Sequence, residues 1–374
     1  MNLPASRSAS RILHASYDAP GWGGAATTAY ALFERRQRDG ADVHFVNLVK
    51  ASDAALLRDT IGSEFDNPRR LADVHTCELD GNWWGPRDGL IALVERLRPD
   101  AILAHGFLAT GLMRFAAPRV PLIFYATGSR RLKILLEEGA LRDFDDFQRL
   151  AARGVRFPAA SDDKERRAVE ASDLIVLHSP HVRDAYEHFY PGYMGKVYDN
   201  IVSVADFVHD EAAAFRALAR PFAERDIDVI AVASDWRRVE KNYPLVRHVA
   251  ASCPDLRVSL VGLSVPDDAP LQRHGMVSRA ALFALLGRAK VLICPSTFDA
   301  APGVLFEAAA LGCNIVATPN CGNWTLCNEQ LVARSPAEFV ARTRHATTAP
   351  LPANPEPFLG GYADLVEKME AFVA

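Results

Sequence analysis

Short, uninterrupted apolar segments alternate with helical segments along almost the whole chain. Segments that are apolar at consecutive positions are typical of strands buried on both faces, as in a parallel sheet covered by helices. In the first half they occur at 11–16, 43–48, 101–104, 122–126 and 174–178. Helical patterns occur at 27–38, which Gly40 ends as a C-cap, and at 89–98, 133–141 and 164–171. This alternation predicts an α/β fold with a doubly wound parallel sheet.

The second half of the chain restarts the same alternation. Strands are predicted at 229–233, 258–261, 291–294 and 315–317, and helices at 243–252, 279–288 and 303–311. Ser335 and Glu338 form a capping box with Pro336 at the first helical position, which predicts a further helix. We therefore predict two Rossmann-like domains, at 1–205 and 206–355, whose parallel sheets face each other across a ligand cleft. The Pro-rich stretch 349–357 precedes a last helix, within 356–374, that could cross back to the N-terminal domain.

Composition excludes several classes of protein. The 374 residues are 49% hydrophobic and 24% charged, as in a soluble globular protein. A net charge of −4 argues against a dedicated nucleic-acid binder, so no nucleic-acid partner is expected. The sequence has no apolar leader, no membrane-spanning segment and no Cys-x-x-Cys pair among its six cysteines. We expect a cytoplasmic protein with reduced thiols, which could touch the inner face of a membrane through basic side chains near 130–133.

The stretch 289–312 carries the most informative chemistry. A buried strand ends at Pro295, a loop carries Asp299, and a helix containing Glu307 follows Pro302. The first N–H groups of a helix have no partner within it, so backbone around residues 300–304 could bind an anion such as a diphosphate. That segment comprises Ala300, Ala301, Pro302, Gly303 and Val304. The carboxylates would accept hydrogen bonds from ligand hydroxyls. The alternative is an ordinary connection in which Asp299 caps the helix.

A second loop carries positive charge at the equivalent end of another strand. Arg237, Arg238 and Lys241 follow the strand 229–233. Arginine can hold a phosphate through two hydrogen bonds, and lysine acts as a point charge. The alternative is a solvated basic loop.

Together these residues resemble the donor-site signature of retaining glycosyltransferases of the GT-B fold, family 4 in particular. The signature is an acid, seven intervening residues and a glutamate that opens a small-residue segment ending in glycine. Asp299, Glu307 and the segment 308–312 match it, although the first acid is usually glutamate. The resemblance implies that Asp299 contacts hydroxyls of the donor sugar and that Glu307 contacts the ribose.

Further stretches resemble other parts of that family's site. Lys241, with Arg237 or Arg238, resembles the clamp on the donor diphosphate. Gly23 and Gly24 resemble the N-terminal glycines that let the backbone approach the diphosphate and the acceptor. The stretch 274–278, which contains Met276 and Val277, resembles the loop against the nucleobase.

The resemblance implies an enzyme that transfers a sugar from a UDP- or GDP-linked donor to an acceptor hydroxyl with retention of anomeric configuration. Such an enzyme needs no metal and no separate cofactor. The acceptor could be a carbohydrate, a lipid-linked glycan or a small molecule. Two Asp-x-Asp sequences, at 143–145 and 226–228, are interpreted as surface residues rather than metal ligands. Family members often carry a histidine where this chain has 127–129, and His105 is either its substitute or a structural residue.

Two other functions remain open. A sugar-nucleotide epimerase of the same architecture would use the same cleft and would turn over without an acceptor. A non-catalytic protein that binds sugar nucleotides or glycans would keep the fold without turnover. An oxidoreductase is disfavoured because the glycines at 21–24 do not have the spacing of a dinucleotide-binding loop.

Overall fold

The computed structural model describes residues 10–17, 24–50, 73–79, 88–157, 164–200, 215–217, 219–266, 271–351 and 361–373. The predicted boundaries at 205/206 and 355/356 lie outside these residues, as does Gly23.

A seven-stranded parallel sheet forms the first half. Its strands are β1 (Ile12–Ser16), β2 (Val43–Lys50), β3 (Val74–Leu79), β4 (Ala101–His105), β5 (Leu122–Ala126), β6 (Leu174–Leu177) and β7 (Val197–Asp199), in the spatial order β3-β2-β1-β4-β5-β6-β7. The helices are α1 (Gly24–Arg38), α2 (Asp88–Leu97), α3 (Phe107–Ala116), α4 (Arg130–Glu137), α5 (Phe144–Ala152), α6 (Lys164–Ala171) and α7 (Pro180–Phe189). Every residue of β1, β4 and β5 is buried, because helices cover both faces of the sheet.

A five-stranded parallel sheet forms the second half. It contains β8 (Ile227–Asp235), β9 (Val258–Leu263), β10 (Gln272–Arg273), β11 (Ala289–Cys294) and β12 (Asn314–Ala317), in the order β10-β9-β8-β11-β12. Its helices are α8 (Tyr243–Ser252), α9 (Arg279–Leu286), α10 (Gly303–Ala310) and α11 (Pro336–Ala346). Ser335 caps α11 by accepting a hydrogen bond from the Glu338 backbone N–H at 3.2 Å, as the capping box predicts. In each sheet the order of the strands changes direction near the middle, between β1 and β4 in the first and between β8 and β11 in the second. Doubly wound folds bind ligands at this point.

The last helix, α12 (Gly361–Val373), returns to the first half. Leu365 and Met369 are buried in the same apolar cluster as Phe33 and Leu174. The amide of Asn200 donates to the carbonyl of Gly361 at 2.7 Å, which ties the start of the helix to the end of the first sheet. The predicted return of the C-terminal helix is therefore confirmed.

The interpretation of both Asp-x-Asp sequences as surface residues is wrong for Asp228. Asp228 is buried and accepts hydrogen bonds from Arg257 at 3.0 Å and from Lys290 at 2.9 Å. It is the second residue of β8, at the amino end of the sheet and therefore away from the strand ends where ligands bind. Asp143 instead caps α5, accepting a hydrogen bond from the backbone N–H of Asp146 at 2.8 Å.

Candidate functional site

The two loops singled out in the sequence lie side by side, because β8 and β11 are neighbours in the second sheet. The ammonium of Lys241 donates to the carboxylate of Asp299, and each side chain is 16% exposed. Burial is the largest influence and lowers the pKa of Lys241, but the charge and the hydrogen bond of Asp299, with the charge of Cys294, together raise this pKa above its ordinary value. The structure thus brings the predicted cation and the first predicted acid into direct contact.

Backbone hydrogen bonds fix the loop that carries Asp299. The N–H of Asp299 donates to the carbonyl of Asn320 at 3.0 Å, and the N–H of Gly322 donates to the carbonyl of Asp299 at 2.8 Å. The N–H of Thr297 donates to the carbonyl of Glu240, in the other loop, at 2.9 Å. These bonds leave the loop little conformational freedom, so the Asp299 carboxylate is held in place.

The sequence left open whether Arg237 or Arg238 accompanies Lys241 in the site. In the structure the two arginines have different surroundings. The Arg237 side chain is 75% exposed and pairs with Asp235 at 2.7 Å. The Arg238 guanidinium instead binds Glu240 at 2.9 and 2.7 Å and the Ser234 hydroxyl at 3.1 Å, at the end of β8. Arg238 therefore lies on the side of Lys241.

Glu240 is a charged residue of this site that sequence reasoning missed. It is buried, and burial opposes its ionisation, but Lys133 and Arg238 outweigh burial and hold its pKa at about 2. Glu240 is therefore an anion at neutral pH, and it orients the arginine that would face a phosphate.

The second predicted acid, Glu307, lies on α10 and is buried. Its carboxylate accepts a hydrogen bond from Arg279, the first residue of α9, at 2.7 Å. Arg279 also lies over the ring of Phe283, 4.8 Å from the centroid. Arg279 was not singled out from the sequence, because its role depends on two helices that meet only in the folded chain.

The predicted backbone segment 300–304 begins α10. Among the described residues, no side chain caps this helix at Pro302, and none places an atom within 4 Å of a Cβ added to Gly303. The early N–H groups have no partner within the helix, as an anion site requires. Ala300 is instead buried against the first half of the chain and Val304 packs against the core of the second, while Ala301 is half-buried.

The remaining predicted residues differ in burial and packing. Met276 is exposed, and Val277 packs against the core of the second sheet. Gly24 is the first residue of α1, and no atom of the described residues lies within 4 Å of a Cβ added there. Gly23 lies outside the described residues.

The first half of the chain meets the Asp299 loop directly. The backbone N–H of Phe144 donates to the carbonyl of Thr297 at 2.9 Å, and its ring stacks on His181 at 4.0 Å between centroids. The His181 imidazole contacts the carbonyl of Pro319 at 2.8 Å. The loop that holds Asp299 is therefore enclosed by both halves.

Histidines line the ends of the first sheet. His105 and His14 are buried and stack at 5.8 Å between ring centroids, and their ring nitrogens have no hydrogen-bond partner within the described parts of the chain. Burial, followed by the charge of His178, lowers the pKa of His105 to about 3. The low pKa keeps the buried His105 imidazole neutral at physiological pH.

The described residues contain no group of three or more His, Cys, Asp or Glu side chains placed to hold a metal ion. None of their helices is both long and apolar enough to cross a membrane.

Comparison with known proteins gives one match by sequence and many by structure. Residues 22–197 match the model of Glycosyltransferase Family 4. No curated protein matches the sequence. Sucrose-phosphate synthase from Thermosynechococcus elongatus superposes with a TM-score of 0.62 at 15% identity, covering 97% of this chain and 94% of that one.

Two further solved structures show the same likeness. HepE of Anabaena, in complex with UDP and glucose, has a TM-score of 0.59 at 14% identity, covering 97% of this chain and 94% of that one. WaaG, a glycosyltransferase of lipopolysaccharide biosynthesis, has a TM-score of 0.56 at 12% identity, covering 97% of this chain and 95% of that one. At such identities the likeness establishes the fold, and it extends over nearly all of the chain.

Proposed function

We propose that this chain, which has the GT-B fold and whose residues 22–197 match Glycosyltransferase Family 4, is a glycosyltransferase that moves a sugar from a nucleoside diphosphate to an acceptor hydroxyl. The contact between Lys241 and Asp299 carries the proposal. It joins a cation and an acid from neighbouring loops at the strand ends, where doubly wound folds bind their ligands. The complexes of HepE with UDP and with UDP-glucose support a uridine donor as the first to be tested.

The leaving group in such a transfer is a diphosphate whose negative charge grows as the glycosidic bond breaks. Lys241, Arg238 and the N–H groups near Gly303 are fixed donors that would stabilise this charge. Fixed donors need no reorganisation during the reaction, which is the source of their effect on rate. In this proposal cationic side chains supply the electrostatic stabilisation, so neither a metal ion nor a separate cofactor is needed.

The two acids would position the donor rather than transfer protons. Asp299 would exchange its bond with Lys241 for hydrogen bonds from the sugar hydroxyls, while Lys241 turns to the phosphates. Glu307, held by Arg279, would accept hydrogen bonds from the ribose. Holding the reacting atoms in register accounts for a large part of the rate of a two-substrate reaction.

The transfer would proceed with retention of configuration. The acceptor hydroxyl would approach from the side of the departing diphosphate, and a phosphate oxygen would accept its proton. No protein general base is then required, which agrees with the position of His105 in the core. Enclosure of the Asp299 loop by both halves would limit hydrolysis by excluding water.

The test is a thermal-shift series with UDP, GDP and their sugars, with and without EDTA, followed by proton NMR of the anomeric product. Selective stabilisation by one nucleotide, insensitive to EDTA, with a retained product is the expected result. Loss of the shift in EDTA would contradict metal independence. Turnover of the donor without any acceptor would indicate an epimerase, and binding without turnover would indicate a non-catalytic protein.

A further inference from the structure

A lysine of the first half reaches the charged cluster of the second half. Lys133 lies on α4, which follows β5, and its ammonium is 3.4 Å from the Glu240 carboxylate. The Lys133 side chain is 28% exposed and that of Glu240 is 4% exposed. This ion pair therefore joins the two halves beside the loop that carries Lys241.

The helix that carries Lys133 is held firmly at its start. The buried carboxylate of Glu165 accepts hydrogen bonds from the backbone N–H groups of Arg130 at 2.8 Å and Arg131 at 3.0 Å. The Ser129 hydroxyl accepts a third from the N–H of Leu132 at 3.3 Å. A carboxylate at this position also interacts favourably with the helix dipole. Lys133 thus extends from a fixed base, so ordering it costs little on ligand binding.

The cluster contains more positive than negative charge. Arg238 and Lys133 share Glu240, whereas Lys241 pairs with Asp299. In these ion pairs between described residues, three cations thus face two carboxylates. Burial, and then the charge of Arg238, lowers the pKa of Lys133, while the charges of Glu240 and Asp299 raise it. An anion bound among the three cations would supply the missing negative charge.

We propose that Lys133 is a third diphosphate-binding cation, supplied by the opposite half of the chain. This inference rests on the proposed function and adds a residue to its donor site. A diphosphate that contacts Lys133, Arg238 and Lys241 together does so only while the two halves are in contact. Because a ligand shifts an equilibrium toward the state that binds it more tightly, the diphosphate stabilises the closed arrangement.

The experiment measures binding of inorganic pyrophosphate, UDP and GDP by calorimetry over a series of salt concentrations. The variants are Lys133→Gln, Lys133→Arg and, as a control, Lys368→Gln. Lys368 lies on α12, over the ring of Tyr198, and its replacement removes the same charge elsewhere. Small-angle X-ray scattering with and without pyrophosphate then reports closure.

We expect Lys133→Gln to weaken pyrophosphate binding about tenfold, as loss of one charge-assisted hydrogen bond predicts, and to reduce its salt dependence. Lys133→Arg keeps most of the affinity, and Lys368→Gln binds like the wild type. Pyrophosphate lowers the radius of gyration of the wild type and the control but not of Lys133→Gln. If Lys133→Gln fails to fold, Lys133→Met, which keeps the methylene stem, replaces it.

Two results overturn the inference in different ways. If the wild type binds pyrophosphate and one nucleotide but Lys133→Gln binds them equally well, the role of Lys133 is wrong and the proposed function stands. If the wild type binds none of the three probes, the donor site itself is wrong and the role of Lys133 fails with it.

Discussion

Lys241 and Asp299 neutralise each other across two neighbouring loops, each with 16% of its side chain exposed. This pairing has a consequence for function, because neither group is available to a donor until the pair is broken. A bound donor would replace this pair. Its diphosphate would bind Lys241, and its sugar hydroxyls would bind Asp299. The pair thus holds both side chains in place before the donor arrives.

Replacing Lys241 by alanine tests the importance of this cation. We expect kcat/KM to fall about 100-fold or more, because one fixed donor to a developing negative charge is worth that much in other active sites. The melting temperature should fall by only a few degrees, since the remaining carboxylate of Asp299 is partly exposed. Initial-rate kinetics and differential scanning calorimetry measure both quantities. Activity within threefold of the wild type would exclude Lys241 from the donor site.

Arg237 and Arg238 provide a matched pair of substitutions. Arg238→Gln should lower kcat/KM about tenfold or more, because the guanidinium lies beside Lys241 and is oriented by Glu240. Arg237→Gln should leave it within about twofold, because that side chain is 75% exposed and pairs with Asp235, and exposed ion pairs contribute little. The reverse order of effects would assign the diphosphate to Arg237.

The hydrogen bond between Arg279 and Glu307 predicts that the two residues act as a unit. Glu307→Gln and Arg279→Gln should each raise KM for the donor about tenfold and lower kcat less, because contacts to the ribose are made before and during the reaction. The double variant should be little worse than either single one. As a control, Arg288→Gln removes an arginine that binds Asp226 at 2.7 Å, and it should leave KM unchanged. Full additivity of the two effects would show that Arg279 does not act through Glu307.

Nine of the twelve described strands were predicted, because burial on both faces leaves a continuous apolar signal. β3 was missed because it lies at the edge of its sheet, where Val74, Thr76 and Glu78 need not form an apolar run. α3 was missed because Gly106, with φ of 83°, precedes it and no side chain caps its start. The surrounding structure determines β3 and α3 more than their own sequences do.

The candidate site was likewise predictable only in part. Asp299 and Lys241 were found because each follows a recognisable strand, and parallel strands end at one edge of a sheet. Lys133 and Glu240 were missed as partners because their contact depends on how the two halves meet. No local sequence pattern specifies how the two halves meet, so neither segment alone predicts the contact between Lys133 and Glu240.

The buried imidazole of His105 predicts a loss of stability in acid. Burial, and then the charge of His178, lowers the pKa of His105 to about 3, well below its value of about 6.5 in the unfolded chain. Between these values the unfolded chain binds the additional proton, so stability falls as the pH decreases below about 6.5. The loss approaches about 1.4 kcal/mol per pH unit for this one group.

His105→Phe keeps the ring contacts with His14 and Tyr125 and removes the titrating group. We expect the free energy of unfolding in urea to fall less steeply for this variant between about pH 7 and pH 5. Replacing the exposed His248 by asparagine is the control, and it should preserve the slope of the wild type. Equal slopes for the wild type and His105→Phe would mean that His105 is not held neutral by the fold.

Gly322 lies where the two halves and the Asp299 loop converge, and it has no room for a side chain. A Cβ there would meet the carbonyl oxygen of Ala300 at 1.9 Å and the hydroxyl of Ser179 at 2.2 Å. Because the first of these atoms belongs to the backbone, Gly322→Ala must displace the loop, at a cost of about 2 kcal/mol or more. Asp299 would move with it, since its carbonyl accepts the hydrogen bond of the Gly322 N–H at 2.8 Å.

We therefore expect Gly322→Ala to lower both the melting temperature and kcat/KM, and to lower kcat/KM more than the loss of folded protein explains. Gly192→Ala is the matched control, because a Cβ at Gly192 meets no atom within 4 Å. Adding Ser179→Ala to Gly322→Ala should restore neither the melting temperature nor kcat/KM, since the clash with the Ala300 carbonyl remains. If Gly322→Ala melts and turns over like Gly192→Ala, the loop is free to move, and the fixed position of Asp299 in this site is wrong.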